Sequence, residues 1–147
     1  VTVALCQRWG QDLDAATLYK LLTLRVEVFV VEQSCPYPEL DGRDLEASTR
    51  HFWLEKPGGE VVSTLRLMQE NSGFRIGRVC TKAAERGHGH AGRLMDAALA
   101  DVGPHPCRLS AQSYLADMYA RHGFSADGEE FVEDGIPHVP MLRAALR

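Results

Sequence analysis

The chain has no apolar run of membrane-spanning length, no block of basic residues and no cysteine pair at CxxC spacing. The first absence argues against a membrane anchor. The second, with a formal net charge of −4, removes any general attraction to nucleic acid or to an anionic lipid surface. The third leaves Cys6, Cys35, Cys80 and Cys107 scattered, which points to free thiols and not to a disulfide frame or zinc knot. The opening VTVALCQRWG has neither the charged head nor the long apolar body of a secretion signal, so a cytoplasmic protein is expected. A phosphate loop of the form GxxxxGK[ST] is also missing, which excludes the usual nucleotide hydrolases.

What is present suits a globular protein. At 147 residues and 45% hydrophobic content, a single domain spanning 1–147 with a sizeable core is expected. Residues 1–9 read as an edge strand. Asp12 or Asp14 can cap a helix with an apolar stripe of Leu18, Leu21, Leu22, Val26 and Phe29. The β-branched run VFVVEQ should fray that helix before Gln33, and SCPYPELDGRD reads as a loop. RHFWLEKPGGEVVSTLRLM predicts two antiparallel strands; in the second, Ser63, Leu65 and Leu67 face one way and Val62, Thr64, Arg66 and Met68 the other. FRIGRVCT is a further strand. A glycine-rich turn and helix follow, then the strand CRLSAQ, a helix from Leu115 to Arg121, and strands in EEFV and PHVPMLRAAL. This order predicts an α/β (α+β) fold with a central mixed, mainly antiparallel sheet flanked by helices, and not a doubly wound domain.

The glycine-rich turn carries the first functional signal. In ERGHGHAGRLM, Gly87, Gly89 and Gly92 precede an apolar helical pattern, so backbone N–H groups can converge on a ligand at a helix N-terminus. A phosphate or pyrophosphate is the expected guest, although glycine before a helix is also an ordinary connection. GHGHAG matches the dinucleotide pattern GxGxxG in letters only. About half the chain precedes it, and the next strand ends in Gln112 where a ribose-binding acid belongs.

Several separated motifs together resemble one family. RGHGHA is similar to the coenzyme A loop of the GNAT N-acetyltransferases, FRIGRVCT to the strand before it, and LSAQSYLADMYARHGF to the strand and helix after it. LYKLLTLRVEVFVVEQSCPYPELDGRD, LSAQ and EDGIPHVPM resemble more narrowly the ElaA branch of that family. The resemblance implies a GNAT fold and transfer of an acyl group, acetyl from acetyl-CoA, directly to a primary amine in a ternary complex. The acceptor is then an amine-bearing small molecule or a protein amino group; no nucleic acid, membrane or metal is implied, and a monomer and a homodimer are equally compatible.

It also implies site residues. Val79, Cys80 and Thr81 would bind pantetheine through their backbone, and a Val79 or Cys80 N–H would hold the oxyanion. Arg86, Gly87, His88, Gly89, His90, Ala91, Gly92 and Arg93 would wrap the pyrophosphate. Tyr119, in YARHGF, matches the position of the acid that protonates the leaving thiolate. Glu32 is the candidate base, with Glu70, Asp41, Asp44 and His51 as alternatives. Arg25, Phe29, Gln33, Gln112 and His138 are expected on the substrate side, Arg25 either bracing the loop or meeting the acyl substrate. Cys80 reads as a small buried apolar residue, not a nucleophile. A non-enzymatic acyl-CoA sensor and an anion-binding structural domain are the alternatives from other classes.

Overall fold

A computed structural model describes residues 2–147. Val1 lies outside the described residues, and the expected first strand begins at Ala4. The strands are β1 (Ala4–Trp9), β2 (Thr49–Glu55), β3 (Val61–Glu70), β4 (Gly73–Thr81), β5 (Cys107–Gln112), β6 (Ser125–Ala126), β7 (Phe131–Glu133) and β8 (Ile136–Arg143). The helices are α1 (Ala15–Val26), α2 (His90–Val102) and the short α3 (Ala116–Ala120). One sheet runs in the order β1-β2-β3-β4-β5-β8-β6, with β7 also on β8. Its pairings are antiparallel except for β4 with β5. The mixed, mainly antiparallel architecture is the one the motif order predicts.

Two helices sandwich the centre of the sheet. Leu94, Met95, Ala98, Leu99 and Val102 of α2 pack with Phe52, Leu54, Leu65, Leu67, Ile76 and Leu109 in the larger core. Leu21 and Leu24 of α1, with Val28 just beyond its end, pack with Trp53, Val61 and Cys80. Strand β3 is consequently buried from Val61 to Met68 on both faces. One assignment of facing changes: Val62 joins Leu65 and Leu67 in the larger cluster, because the register with β2 slips between Leu54 and Glu55 and moves Val62 out of strict alternation.

Of the two candidate caps, Asp14 caps α1: its Oδ1 accepts the Thr17 N–H at 2.7 Å. The most deeply buried residues of α1 are Leu21, Leu24 and Arg25, a line that Val28 continues beyond its end, whereas Leu18, Leu22 and Val26 are only half-buried. Apolar periodicity misses this rotation because an arginine occupies an inner position. Beyond Val26 the chain does not fray but widens into a π-helical segment, Glu27–Glu32, that turns Glu32 and Gln33 toward the C-terminal ends of β4 and β5.

Arg25 is buried because the loop after α1 brings it carboxylates. Its guanidinium donates to Glu39 Oε2 at 2.8 Å and to Asp44 Oδ1 at 2.6 Å. Arg66 of β3 donates to the same Asp44 oxygen at 3.1 Å and to both carboxylate oxygens of Asp41. Arg78 of β4 donates to Glu39 at 2.7 Å, and the Tyr37 hydroxyl also donates to Glu39. His51 on β2 donates from Nε2 to the Asp44 carbonyl oxygen at 2.9 Å. Three guanidinium groups thus balance three carboxylates and pin a loop with no regular structure of its own.

Removing Arg25 would leave Glu39 and Asp44 buried and short of a partner, so Arg25→Ala should lose about 3–5 kcal/mol in urea unfolding. Hydrogen bonding from Arg66 holds the Asp41 carboxyl well below its usual range. Burial alone would raise Asp44, but hydrogen bonds from Arg25 and attraction to Arg66 outweigh it and the net shift is downward. Folded pKa values below the unfolded ones stabilise the protein fully above the unfolded carboxylate range, and that contribution is lost as pH falls through the folded values. The urea midpoint should therefore decline below about pH 4, and decline less in Asp41→Asn; a midpoint flat in acid would contradict this.

Candidate active site

Strands β4 and β5 pair at Phe74 with Cys107 and at Arg75 with Arg108, and then separate. Further along, β4 carries an extra residue: Cys80 faces Thr64 and Gly77 faces Arg66, three steps on one strand against two on the other. The bulge turns at Arg78, whose φ of 55° is left-handed, and it withdraws local backbone groups from the β3 ladder. Separation and bulge together open a cavity of ≈ 540 Å³ between the two strands.

One wall of this cavity is Val79, Cys80 and Thr81; the other is Gln112, Tyr114, Leu115, Met118 and Tyr119. Its roof is the glycine turn. Gly87 and Gly89 sit at φ 83° and 75°, and Gly89 is the N-cap of α2 with no side-chain cap, so the first N–H groups of a thirteen-residue helix face outward. A Cβ at Gly89 would meet nothing within 4 Å, so the surface there is open to a guest. His90 Nε2 is buried and, among the described residues, has no hydrogen-bond partner; Glu85 Oε1 lies 3.6 Å away. An orphan imidazole nitrogen beside free helix N–H groups fits a phosphate-bearing ligand.

Arg86 lies across the opening. Its Nε donates to the Thr81 carbonyl at 3.1 Å, and its two terminal nitrogens donate to Glu32 at 2.7 and 2.8 Å. Glu32 therefore lines the cavity as the counter-charge of Arg86. Tyr119 is buried and packs edge-on to Phe124 at 6.4 Å between ring centres. Burial raises its phenol above the ordinary tyrosine range, so it keeps its proton at neutral pH. Cys80 is buried too, and desolvation pushes its thiol up to about 12, which leaves no thiolate for nucleophilic attack.

A second cavity of ≈ 440 Å³ opens on the other side of a thin partition. Phe29, Cys35, Tyr37, Asp41, Arg78, Glu133, Asp134 and His138 line it, and Gln33 and Gln112 belong to both cavities. Those two amides form a reciprocal pair: Gln33 Nε2 donates to Gln112 Oε1 at 3.1 Å, and Gln112 Nε2 donates back to Gln33 Oε1 at 3.2 Å. The pair ties the π-helical segment to the end of β5 across the gap between the strands.

The first cavity thus gathers Glu32, Tyr119, Val79, Cys80, Thr81, Arg86, Gly87, Gly89, His90, Ala91, Gly92, Gln33 and Gln112 from separate stretches of chain. Phe29 and His138 join Gln33 and Gln112 around the second. Three expected residues line neither. Arg25 is sequestered in the ion network and braces the loop; Arg93 donates to the Val3 carbonyl at 2.6 Å; His88 is exposed beside His90. Asp41, Asp44 and His51 are likewise held by the network. Sequence reasoning did not mark Glu85, Tyr114, Met118, Arg121 or His122 as lining residues. Arg121 and His122 stand beside Tyr119 in the quoted YARHGF, which was the available signal; Tyr114 and Glu85 had none.

Comparison with known proteins agrees with this geometry. A family model described as an acetyltransferase (GNAT) domain matches residues 18–144. A UPF0039 protein of Mycobacterium tuberculosis is 67% identical over 147 residues, covering 97% of this chain and 94% of the relative. The crystal structure of an acyl-CoA N-acyltransferase from Pseudomonas aeruginosa superposes with a TM-score of 0.92 at 41% identity, covering 97% of this chain and 100% of that one. Escherichia coli ElaA superposes with a TM-score of 0.90 at 35% identity, over 97% of this chain and 99% of that chain. With the split β4/β5 pair, the glycine turn at α2 and these likenesses in agreement, the chain belongs to the GNAT acetyltransferase family and is a homologue of ElaA.

Proposed function

We propose that the protein transfers an acetyl group from acetyl-CoA directly to a primary amine, with both substrates bound at once. The observation that carries this reading is the meeting of two cavities at the Gln33–Gln112 pair: one has the features of a nucleotide-phosphate and pantetheine channel, the other suits an acceptor. Acetyl-CoA supplies the activated acyl group. The α2 N-terminus with Gly87, Gly89 and His90 receives the pyrophosphate, and the Val79–Thr81 backbone receives the pantetheine amides. The bulge directs a Val79 or Cys80 N–H toward the developing oxyanion, where a preorganised donor stabilises charge without reorganisation. Tyr119 donates its proton to the departing thiolate. The bidentate bond to Arg86 makes Glu32 an electrostatic partner of the cofactor loop in place of a free base. The acceptor is the amine of a small molecule or of a protein side chain.

Titration calorimetry with acetyl-CoA and with CoA tests the cradle, and a panel of aliphatic amines, diamines, aminoglycosides and lysine peptides, followed by CoA release and product mass, tests transfer. Saturable binding with no acylated product from any amine would reduce the protein to an acyl-CoA sensor. Gly89→Asp should weaken CoA binding far more than it alters folding, since its carboxylate would face the pyrophosphate, while a short Asp side chain tolerates the left-handed φ at a position with no atom within 4 Å of the added Cβ. Arg86→Ala should have a smaller effect, because its charge is half-exposed and already paired with Glu32.

Tyr119→Phe keeps the edge-on contact with Phe124 and removes only the proton donor. Single-turnover acetyl transfer should slow by about 10²–10⁴-fold with acetyl-CoA affinity retained. Because burial raises the phenol, a high-pH fall in the wild-type rate should begin only above the ordinary tyrosine range near ~10, and the variant should lack it. A wild-type rate in the folded variant would remove Tyr119 from the chemistry.

A further inference from the structure

We infer that His138 is the proton acceptor for the attacking amine, which enters the second cavity as an ammonium ion; the inference rests on the N-acyltransferase reading above. His138 on β8 is the direct cross-strand partner of Gln112 on β5, so the two side chains share a face of the sheet. Gln112 stands in the wall of both cavities. His138 is therefore one strand removed from the place where the two cavities meet.

Two contacts set the ring. Phe131 stacks on it at 5.6 Å between centres and 22° between planes, and Nδ1 lies 2.7 Å from the Ile136 carbonyl oxygen. A carbonyl oxygen only accepts, so Nδ1 carries the hydrogen and the neutral ring has its lone pair on Nε2. A fixed tautomer with one basic nitrogen on a cavity wall is what a general base requires.

The charged neighbours favour a cationic guest. From the loop, Asp41 is held by Arg66; from β4, Arg78 is paired with Glu39 and Asp41; the Tyr37 hydroxyl donates to Glu39. Glu133 at the end of β7 and Asp134 in the β7–β8 turn add exposed carboxylates at the rim. Glu32, by contrast, has both carboxylate oxygens bonded to Arg86.

In the step so assigned, His138 Nε2 takes one proton from the ammonium ion and passes it to solvent. The freed nitrogen lone pair attacks the thioester carbonyl carbon, the C–N bond forms and the C–S bond breaks. The sulfur takes the Tyr119 proton, and the surplus proton on nitrogen restores it. Amide, CoA thiol and one released proton result.

The test uses His138→Gln and His138→Ala in the full chain, loaded with acetyl-CoA and mixed with the amine selected from the panel above. At neutral pH both variants should transfer at least about 10²-fold more slowly than wild type, with acetyl-CoA affinity unchanged by calorimetry. The deficit should shrink as pH rises, because solvent then delivers the free amine, and added imidazole should restore part of the rate in His138→Ala. Variants that fold and keep the wild-type pH profile would overturn the assignment, as would a loss equal at every pH and unrelieved by imidazole. A wild type that binds acetyl-CoA but acylates no amine would overturn the N-acyltransferase reading itself, and this one with it.

Discussion

Strands β4 and β5 stay hydrogen-bonded for two residue pairs and then part, and the site depends on that separation. A parallel pair buried under two helices would ordinarily continue, since an unpaired backbone group inside a protein is costly. Here the exposed strand edges border a cavity, where a ligand with amide groups of its own can satisfy them. The bulge at Arg78 opens one strand of the pair, and the Gln33–Gln112 amide pair bridges the gap further along. The separation thereby becomes two compartments with a shared partition.

The ion network of Arg25, Arg66 and Arg78 with Glu39, Asp41 and Asp44 belongs to the same construction. Arg78 is both the bulged residue of β4 and an anchor of the loop, so the strand distortion and the wall of the second cavity are held by one side chain. Desolvating three guanidinium groups makes this an inefficient way to gain stability, and an apolar core of similar volume would serve as well. Charge pairing does confer direction: each guanidinium fixes a carboxylate at a defined place, and a loop rich in Pro, Asp and Glu acquires one conformation around the second cavity.

Much of the fold was legible because it is written in local rules. Asp14 caps α1 through its own side chain; Gly87 and Gly89 adopt left-handed backbone where a glycine-rich turn meets a helix; the apolar spacing of α2 gives the face that packs on the sheet. The glycine turn before α2 and the place of Tyr119 in the short helix after β5 were legible for a related reason, since each lies in a short stretch with its own spacing. The glycine turn demanded nothing from distant residues to leave the first N–H groups of α2 uncapped.

What the sequence by itself determined, then, is the sequence of elements, the mixed sheet and the glycine turn that opens α2, all governed by interactions within a few turns or by strand alternation. Tertiary structure alone decided which polar residues face the cavities and which are consumed elsewhere. Arg25 and Glu32 were both plausible in the chemistry; Arg25 is buried against Glu39 and Asp44, whereas Glu32 lines the first cavity with its carboxylate bonded to Arg86, partners fourteen to fifty-four residues away. The Gln33–Gln112 partition joins residues separated by seventy-nine positions. A charged or amide side chain has no periodic signature; its role is set by the partner that satisfies it, and only folding chooses that partner.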